Sequence, residues 1–300
     1  MRSRNAGRIG DGLWYLGREE TGVYLLEGAA CSMVISGGMS YLAPVVLNQM
    51  RVFGIDDTKI RKLLILHAHF DHVGLVPFFK RHCPGLEIYA SSRAWEILKM
   101  PKGIETINTF SRLVAERMGV AGCLDGRDLE WRQGGQGSTV SEGDSIDLGD
   151  LDVRIHETPG HSSCSLTAYV PKLKALFPSD GGGIPYKDMI IPAGNSNYTR
   201  YQHSLEKLKN LKVDLLCADH YGYVTGDEAN GYILRSIDAA TERRAVIEAV
   251  YKRTGSIDDT VRELVDELYT RHPGYFLSPE IYAGVYRQTV RHIADSLAGC

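Results

Sequence analysis

No charge of one sign dominates the 300 residues: 34 lysines and arginines face 37 aspartates and glutamates, for a net charge of -3. Nucleic-acid binders carry a basic excess or stripe; none stands out, so no nucleic-acid partner is expected. No uninterrupted apolar run approaches the ~18–20 residues that cross a bilayer, which argues against a membrane span. The opening stretch from Met1 to Gly12 has arginines but no apolar segment behind them, unlike a secretory signal. Cysteine is sparse and scattered, at Cys31, Cys83, Cys123, Cys164, Cys217 and Cys300, with no Cys-x-x-Cys spacing. In a chain of this length that pattern reads as small buried apolar residues in a reducing, cytoplasmic setting rather than as a disulfide framework. Also missing are a Gly-x-Ser-x-Gly elbow, a Walker loop and a dinucleotide-binding glycine fingerprint, so the serine-hydrolase, nucleotide-triphosphatase and nicotinamide classes lack their signatures. No repeat is visible that would suggest a solenoid.

What is present is ordinary in bulk, 43% hydrophobic and 24% charged, and long enough to bury a core without staples. Short apolar runs at Leu13–Leu16, Val23–Glu27 and Ser32–Ser36, separated by glycine and charge, predict a meander. Leu42, Val45, Val46, Met50 and Phe53 recur at helical spacing and predict a helix over 41–53. Lys62–Leu66 is a compact apolar run that predicts a buried strand leading into His67. Residues 101–137 read as an insertion, with a helix over 104–118 and a glycine-rich loop through Gly134, Gly135 and Gly137. A second β-rich zone spans 139–177, followed by a helix over 198–211 and a strand over 213–218. Beyond Asp227 the spacing predicts three helices, 229–253, 256–270 and 279–297, punctuated by Gly255 and Pro273-Gly274. Their apolar positions Val246, Val250, Leu264, Leu268, Val285, Val290 and Ile293 are expected to pack a core. This order predicts two sheets face to face with helices outside, a four-layer α/β sandwich. It would occupy residues 1–226, with a helical C-terminal cap over 227–300.

The chemistry concentrates in His67-Ala68-His69-Phe70-Asp71-His72, four candidate ligands at the exit of a buried strand. Clustered imidazoles and carboxylates are costly to bury without partners, and a divalent cation supplies one. Imidazole nitrogen and carboxylate oxygen suit zinc, iron or manganese. Three more polar residues end apolar runs. His161 sits in the sharp turn Thr158-Pro159-Gly160-His161-Ser162, Asp180 follows Ala175–Phe177, and His220 follows Leu215–Ala218. Strand ends are where side chains from distant segments converge.

In order and spacing, this set resembles the metallo-β-lactamase superfamily over about residues 13–222, leaving the helical tail outside. The resemblance implies an αβ/βα sandwich in which His67, His69 and His161 hold one divalent cation. Asp71, His72 and His220 would hold a second, and Asp180 would bridge the two. It implies attack by a metal-bridging hydroxide on an acyl group, with Asp71 and Asp180 as catalytic residues. The chain departs from the family pattern in carrying Ser179 before Asp180, where members often have glycine. It also has Ser36-Gly37-Gly38 where many have Asp-x-Gly.

The tail makes the chain most similar to the quinolone-signal response thioesterase branch. This implies hydrolysis of a thioester or related acyl ester, on a small-molecule or CoA- or carrier-linked acyl substrate. Phe70, Tyr186, Tyr223, Phe276 and Tyr282 are expected to line the substrate pocket. Lactone or phosphodiester hydrolysis on the same metals stays open as an alternative. So do a signalling role with a regulatory protein partner, and a homodimer.

Overall fold

The computed structural model describes residues 1–298 apart from 124–128, 134 and 276. The chain begins with β1 (Arg2–Ser3) and then builds a sheet from consecutive strands: β2 (Gly7–Gly10), β3 (Leu13–Arg18), β4 (Thr21–Glu27), β5 (Ser32–Ile35), β6 (Ile60–Leu64), β7 (Glu87–Ala90) and β8 (Ser138–Thr139). These seven pair in that order, antiparallel through β5 and parallel from β5 to β8. Parallel pairing demands crossovers, and helices supply them. They are α1 (Ala43–Val52), α2 (Phe70–Val73), α3 (Val76–His82), α4 (Ser92–Lys99) and α5 (Pro101–Arg117).

A second sheet contains β9 (Ser145–Asp147), β10 (Asp152–Glu157), β11 (Leu166–Val170) and β12 (Ala175–Phe177). A small hairpin, β13 (Ile184–Tyr186) and β14 (Met189–Ile191), and helix α6 (Tyr198–Leu208) intervene before β15 (Leu215–Cys217) and β16 (Tyr223–Thr225) complete it. The strand order is β1-β16-β15-β12-β11-β10-β9, so the first residues of the chain form one edge.

Alternation along the strands separates the layers. On β4, Tyr24 and Leu26 point between the sheets, where they join Leu13, Tyr15, Met33, Ile155, Leu166 and Phe177. Val23 and Leu25 point the other way, into a core with Val46, Met50, Phe79 and Trp95 from the helices. Leu176, Leu216 and Val224 cover the outer face of the second sheet against Leu208, Ala229 and Tyr232. The result is the four-layer αβ/βα sandwich, with a helical C-terminal region.

That region comprises α7 (Asp227–Asn230), α8 (Tyr232–Thr254), α9 (Ile257–Arg271) and α10 (Pro279–Ala298). Gly255 ends α8 at φ 65, and Ser256 caps α9 by accepting from the Asp259 amide. Leu264, Val290 and Ile293 are buried there with Tyr198, Tyr201 and Leu205 of α6, while Val250 and Leu268 pack against this core. Val246 is a correction: it lies on the outer face of α8 and is 41% exposed. Helix α5 begins at Pro101 rather than at 104, because proline is well suited to the first helical position. Among the described residues, no helix is long and apolar enough to cross a membrane.

Candidate metal centre

The site lies where strand ends of the two sheets meet. Strand β6 ends at Leu64 and the chain bends at Leu66 before His67; His69 is the extended residue that starts α2 (φ -77, ψ 153), placing Asp71 and His72 in the first turn. His161 follows Gly160, whose φ of 136 and contact with α6 leave no room for a side chain. A Cβ there would lie 2.2 Å from the Tyr201 nitrogen. Asp180 sits in the helical turn Ser179–Gly182 after β12, and His220 follows β15. These two strands pair in parallel, so both side chains emerge at the same end of the sheet.

All seven residues converge. His67 Nε2 lies 3.1 Å from His69 Nδ1 and 3.2 Å from His161 Nε2, which is itself 3.0 Å from His69 Nδ1. Across the site, His72 Nε2 is 3.6 Å from Asp71 Oδ2, and His220 Nε2 is 3.5 Å from the same oxygen. Asp180 stands between the two groups. Its Oδ2 is 3.4 Å from both His161 Nε2 and His72 Nε2, and its Oδ1 is 3.5 Å from His220 Nε2.

These spacings are themselves diagnostic. Bonds of ~2.0–2.1 Å to a tetrahedral cation put neighbouring ligand atoms about 3.3 Å apart. The donor–donor distances of 3.0 to 3.6 Å bracket that edge length. His72 Nε2 is buried without a hydrogen-bond partner and faces the Asp71 and Asp180 carboxylates at 3.6 and 3.4 Å, an arrangement that a shared cation would satisfy. The donor set therefore fits divalent metal.

Partners behind the rings fix which nitrogen faces inward. His161 Nδ1 donates to the Ala193 carbonyl at 2.8 Å, and His220 Nδ1 donates to the Glu20 carbonyl at 2.5 Å. His72 Nδ1 lies 2.7 Å from Asp219 Oδ2, and His67 Nδ1 lies 3.2 Å from Ser179 Oγ. In each case Nε2 is the nitrogen turned toward the centre.

Without a cation the two halves carry opposite electrostatics. Burial, reinforced by neighbouring imidazoles, pushes His67 well below its ordinary range and His69 down to about 3; burial also lowers His161. Burial opposes charge on His72 and His220 too, yet the Asp71 and Asp180 carboxylates outweigh it, raising His72 and pushing His220 up to about 10. In return, and against burial, these imidazoles hold Asp71 down to about 2 and Asp180 well below the usual carboxylate range.

A chamber of about 480 Å³ opens above the donors. Its floor is His69, Asp71, His161, Asp180 and His220. Its walls are largely apolar: Phe70, Ile107 and Phe110 on one side, Tyr275, Ile281, Tyr282, Val285 and Tyr286 on the other. Lys102 is the only lysine or arginine among the described lining residues.

Of the expected pocket residues, Phe70 and Tyr282 line this chamber. Tyr186 does not: its ring stands behind the wall against Tyr221, Tyr275 and His272. Tyr223 is a correction of a different kind. It belongs to β16 and packs 5.8 Å from Tyr15 against the core between the sheets, as the alternation of that strand requires. Phe276 lies outside the described residues.

Sequence reasoning passed over Asp219. It is 1% exposed and holds His72. The available signal was a carboxylate inside the apolar run Leu215–Ala218 and His220, where an unpaired charge would be costly. In the family pattern an aspartate would stand near Ser36-Gly37-Gly38. Here Gly37 instead packs so closely that an added Cβ would lie 2.4 Å from the His72 carbonyl oxygen.

Residues 17–220 match the family model described as the metallo-beta-lactamase superfamily. A protein from Sulfurisphaera tokodaii, the metallo-beta-lactamase fold-containing protein ST1585, is 24% identical over 206 residues, 68% of this chain and 73% of that protein. The crystal structure of ST1585 superposes with a TM-score of 0.59 at 22% identity, covering 76% of this chain and 85% of that one. The metallo-beta-lactamase family protein TTHA1429 from Thermus thermophilus superposes with a TM-score of 0.66 at 15% identity, over 96% of this chain and 94% of that one. At such identities the likeness to the solved structures is one of fold.

Proposed function

Because the chain belongs to the metallo-beta-lactamase superfamily, we propose that it is a dinuclear-metal hydrolase cleaving a thioester or related acyl ester. His67, His69 and His161 would hold one divalent cation, Asp71, His72 and His220 the other, with Asp180 shared between them. When bound, such cations supply Lewis acidity toward an acyl oxygen and lower the pKa of water. Zinc, iron and manganese all suit a set of imidazoles and carboxylates.

The chain's own residues do the rest. Asp71 is held in its ionised form and lines the chamber floor. It accepts a proton as water attacks and returns it to the departing thiolate or alkoxide. Phe70, Phe110, Ile281 and Val285 hold the acyl group and keep bulk water from the donors.

The observation that carries the acyl reading is the chamber itself, largely apolar in its walls, with its ionisable groups other than Lys102 and the wall tyrosines gathered at its floor. A phosphodiester would bring a formal charge that these walls do not answer, Lys102 apart. The test is a panel of an acyl-CoA, an S-acyl glutathione, a homoserine lactone and bis-p-nitrophenyl phosphate, run on metal-loaded and chelated protein. The expected result is chelation-sensitive turnover with a preference for thioester, and Asp180→Asn losing metal content and turnover together. A preference for the phosphodiester, or full turnover by Asp180→Asn, would overturn the reading.

A further inference from the structure

We propose that Ser179 and Asp219 form one hydrogen-bonded positioning element that orients a histidine in each half of the metal centre. The inference rests on the dinuclear reading above and goes beyond it, since neither residue touches the chamber or belongs to the donor set.

The geometry assigns every proton. Asp219 Oδ2 receives two contacts: His72 Nδ1 at 2.7 Å and a short hydrogen bond from Ser179 Oγ. The same hydroxyl lies 3.2 Å from His67 Nδ1. A hydroxyl has one proton to give and lone pairs to accept with. The carboxylate can only accept, so Ser179 donates to Asp219 and accepts from the N–H of His67 Nδ1. His72 donates its Nδ1 proton to the same carboxylate oxygen. The chain therefore runs from His67 through Ser179 to Asp219, and from His72 to Asp219. Its polarity commits Nδ1 of each ring outward and turns both Nε2 atoms toward the site.

Two further observations favour a purpose beyond packing. Asp219 is 1% exposed, and among the described residues His72 is the basic group that pairs with it. Its Oδ1 has no hydrogen-bond partner, so the carboxylate is oriented wholly through Oδ2. Ser179 adopts φ 49 and is buried, a backbone position where glycine would be less strained. Glycine follows at the next turn positions, Gly181 to Gly183, yet serine holds this one. The hydroxyl is what glycine would lack.

The test uses the full chain, loaded with zinc or with cobalt as a spectroscopic probe. Affinity is read by chelator competition, and the thermal midpoint is measured on metal-free protein. The wild type is expected to take up two cations. Asp219→Asn is expected to loosen metal by the ~10–100-fold typical of supporting groups. Ser179→Gly should also loosen metal and shift the cobalt spectrum, while its metal-free midpoint falls only modestly, because relief of the strained φ offsets part of the two lost hydrogen bonds. The double variant should be no weaker than Asp219→Asn alone, because the two residues act in one chain. Wild-type affinity and an unchanged cobalt spectrum in Ser179→Gly would overturn the proposal. So would a midpoint lowered with both metal affinity and cobalt spectrum unchanged, the mark of a purely structural role. A wild-type chain that takes up no metal would overturn the dinuclear reading and this inference with it, a result distinct from either variant outcome.

Discussion

Three imidazoles that resist protonation and two that hold their protons tightly lie within one small site, and the metal-free protein should register both in its stability. His67, His69 and His161 titrate below the ordinary histidine value of 6.5 because burial penalises their charged forms, His69 falling to about 3. Between about pH 3 and 6.5 the unfolded chain binds protons that the native state refuses. Stability therefore falls as pH drops through that window. His220, pushed up to about 10 by Asp180 and Asp71 against its burial, acts oppositely. Above 6.5 the native state keeps a proton the unfolded chain has released, so its contribution is lost as pH climbs toward 10. Each group contributes at most about 1.4 kcal/mol per pH unit. Urea titrations of chelated protein from pH 4 to 10 should show a maximum near pH 6.5. A profile flat between pH 4 and 6.5 would contradict the burial of these rings. The convergence of these seven side chains was legible in the sequence because His67, His161, Asp180 and His220 follow apolar runs and His69, Asp71 and His72 crowd within five residues of the first. Asp219 and Ser179 were not, because their meaning depends on contacts 147 and 40 residues apart in the chain.

Helices α5 and α10 set the chamber by their spacing. Gly103, Thr106, Ile107 and Phe110 lie at positions i, i+3, i+4 and i+7 of α5, one face of a helix. On α10, Ile281, Tyr282, Val285 and Tyr286 form the opposing face. Val285 is partly exposed and borders the chamber, so Val285→Trp should fill space there with little disturbance of the buried core. For long or aromatic acyl thioesters kcat/KM is expected to fall on the order of tenfold, about 1.4 kcal/mol, while acetyl thioesters keep their turnover. Equal loss on both would place the acyl group elsewhere. At this scale the sequence was informative wherever local chemistry closes an element. Gly255 and Ser256 mark the join of α8 and α9 to within a residue or two. It was silent on which face of α10 would meet the site, and Val285, expected in a core, lies on the chamber wall. That choice is made by packing against α8 and α9, which no short window contains.

The C-terminal helices are tied into the sandwich at the turn that carries Asp180. Tyr232 donates to the Gly183 carbonyl at 3.1 Å and Ser236 to the Gly182 carbonyl at 2.8 Å, both from α8. Tyr198 of α6 donates to the Ala240 carbonyl at 2.9 Å, and a single apolar core joins α6, the β13–β14 hairpin and helices α8 to α10. The chain's first residues join in, with Arg2 ion-paired to Glu228 of α7 at 2.8 Å and β1 hydrogen-bonded to β16. Cutting these ties would orphan buried carbonyls at about 1–3 kcal/mol each and expose the tyrosine-rich core. Loss of the tail and loss of the sandwich should therefore be one event. The sequence supplies natural reporters for this. All three tryptophans, Trp14, Trp95 and Trp131, lie in the first half of the chain, whereas α8 to α10 contribute the longest run of helix. Tryptophan fluorescence and far-ultraviolet circular dichroism are expected to report the same denaturation midpoint and the same slope in urea. If the helical signal were lost at lower urea than the fluorescence, the tail would be a separately folding cap, and the hydrogen bonds from α8 to the glycine turn would not couple it to the metal centre.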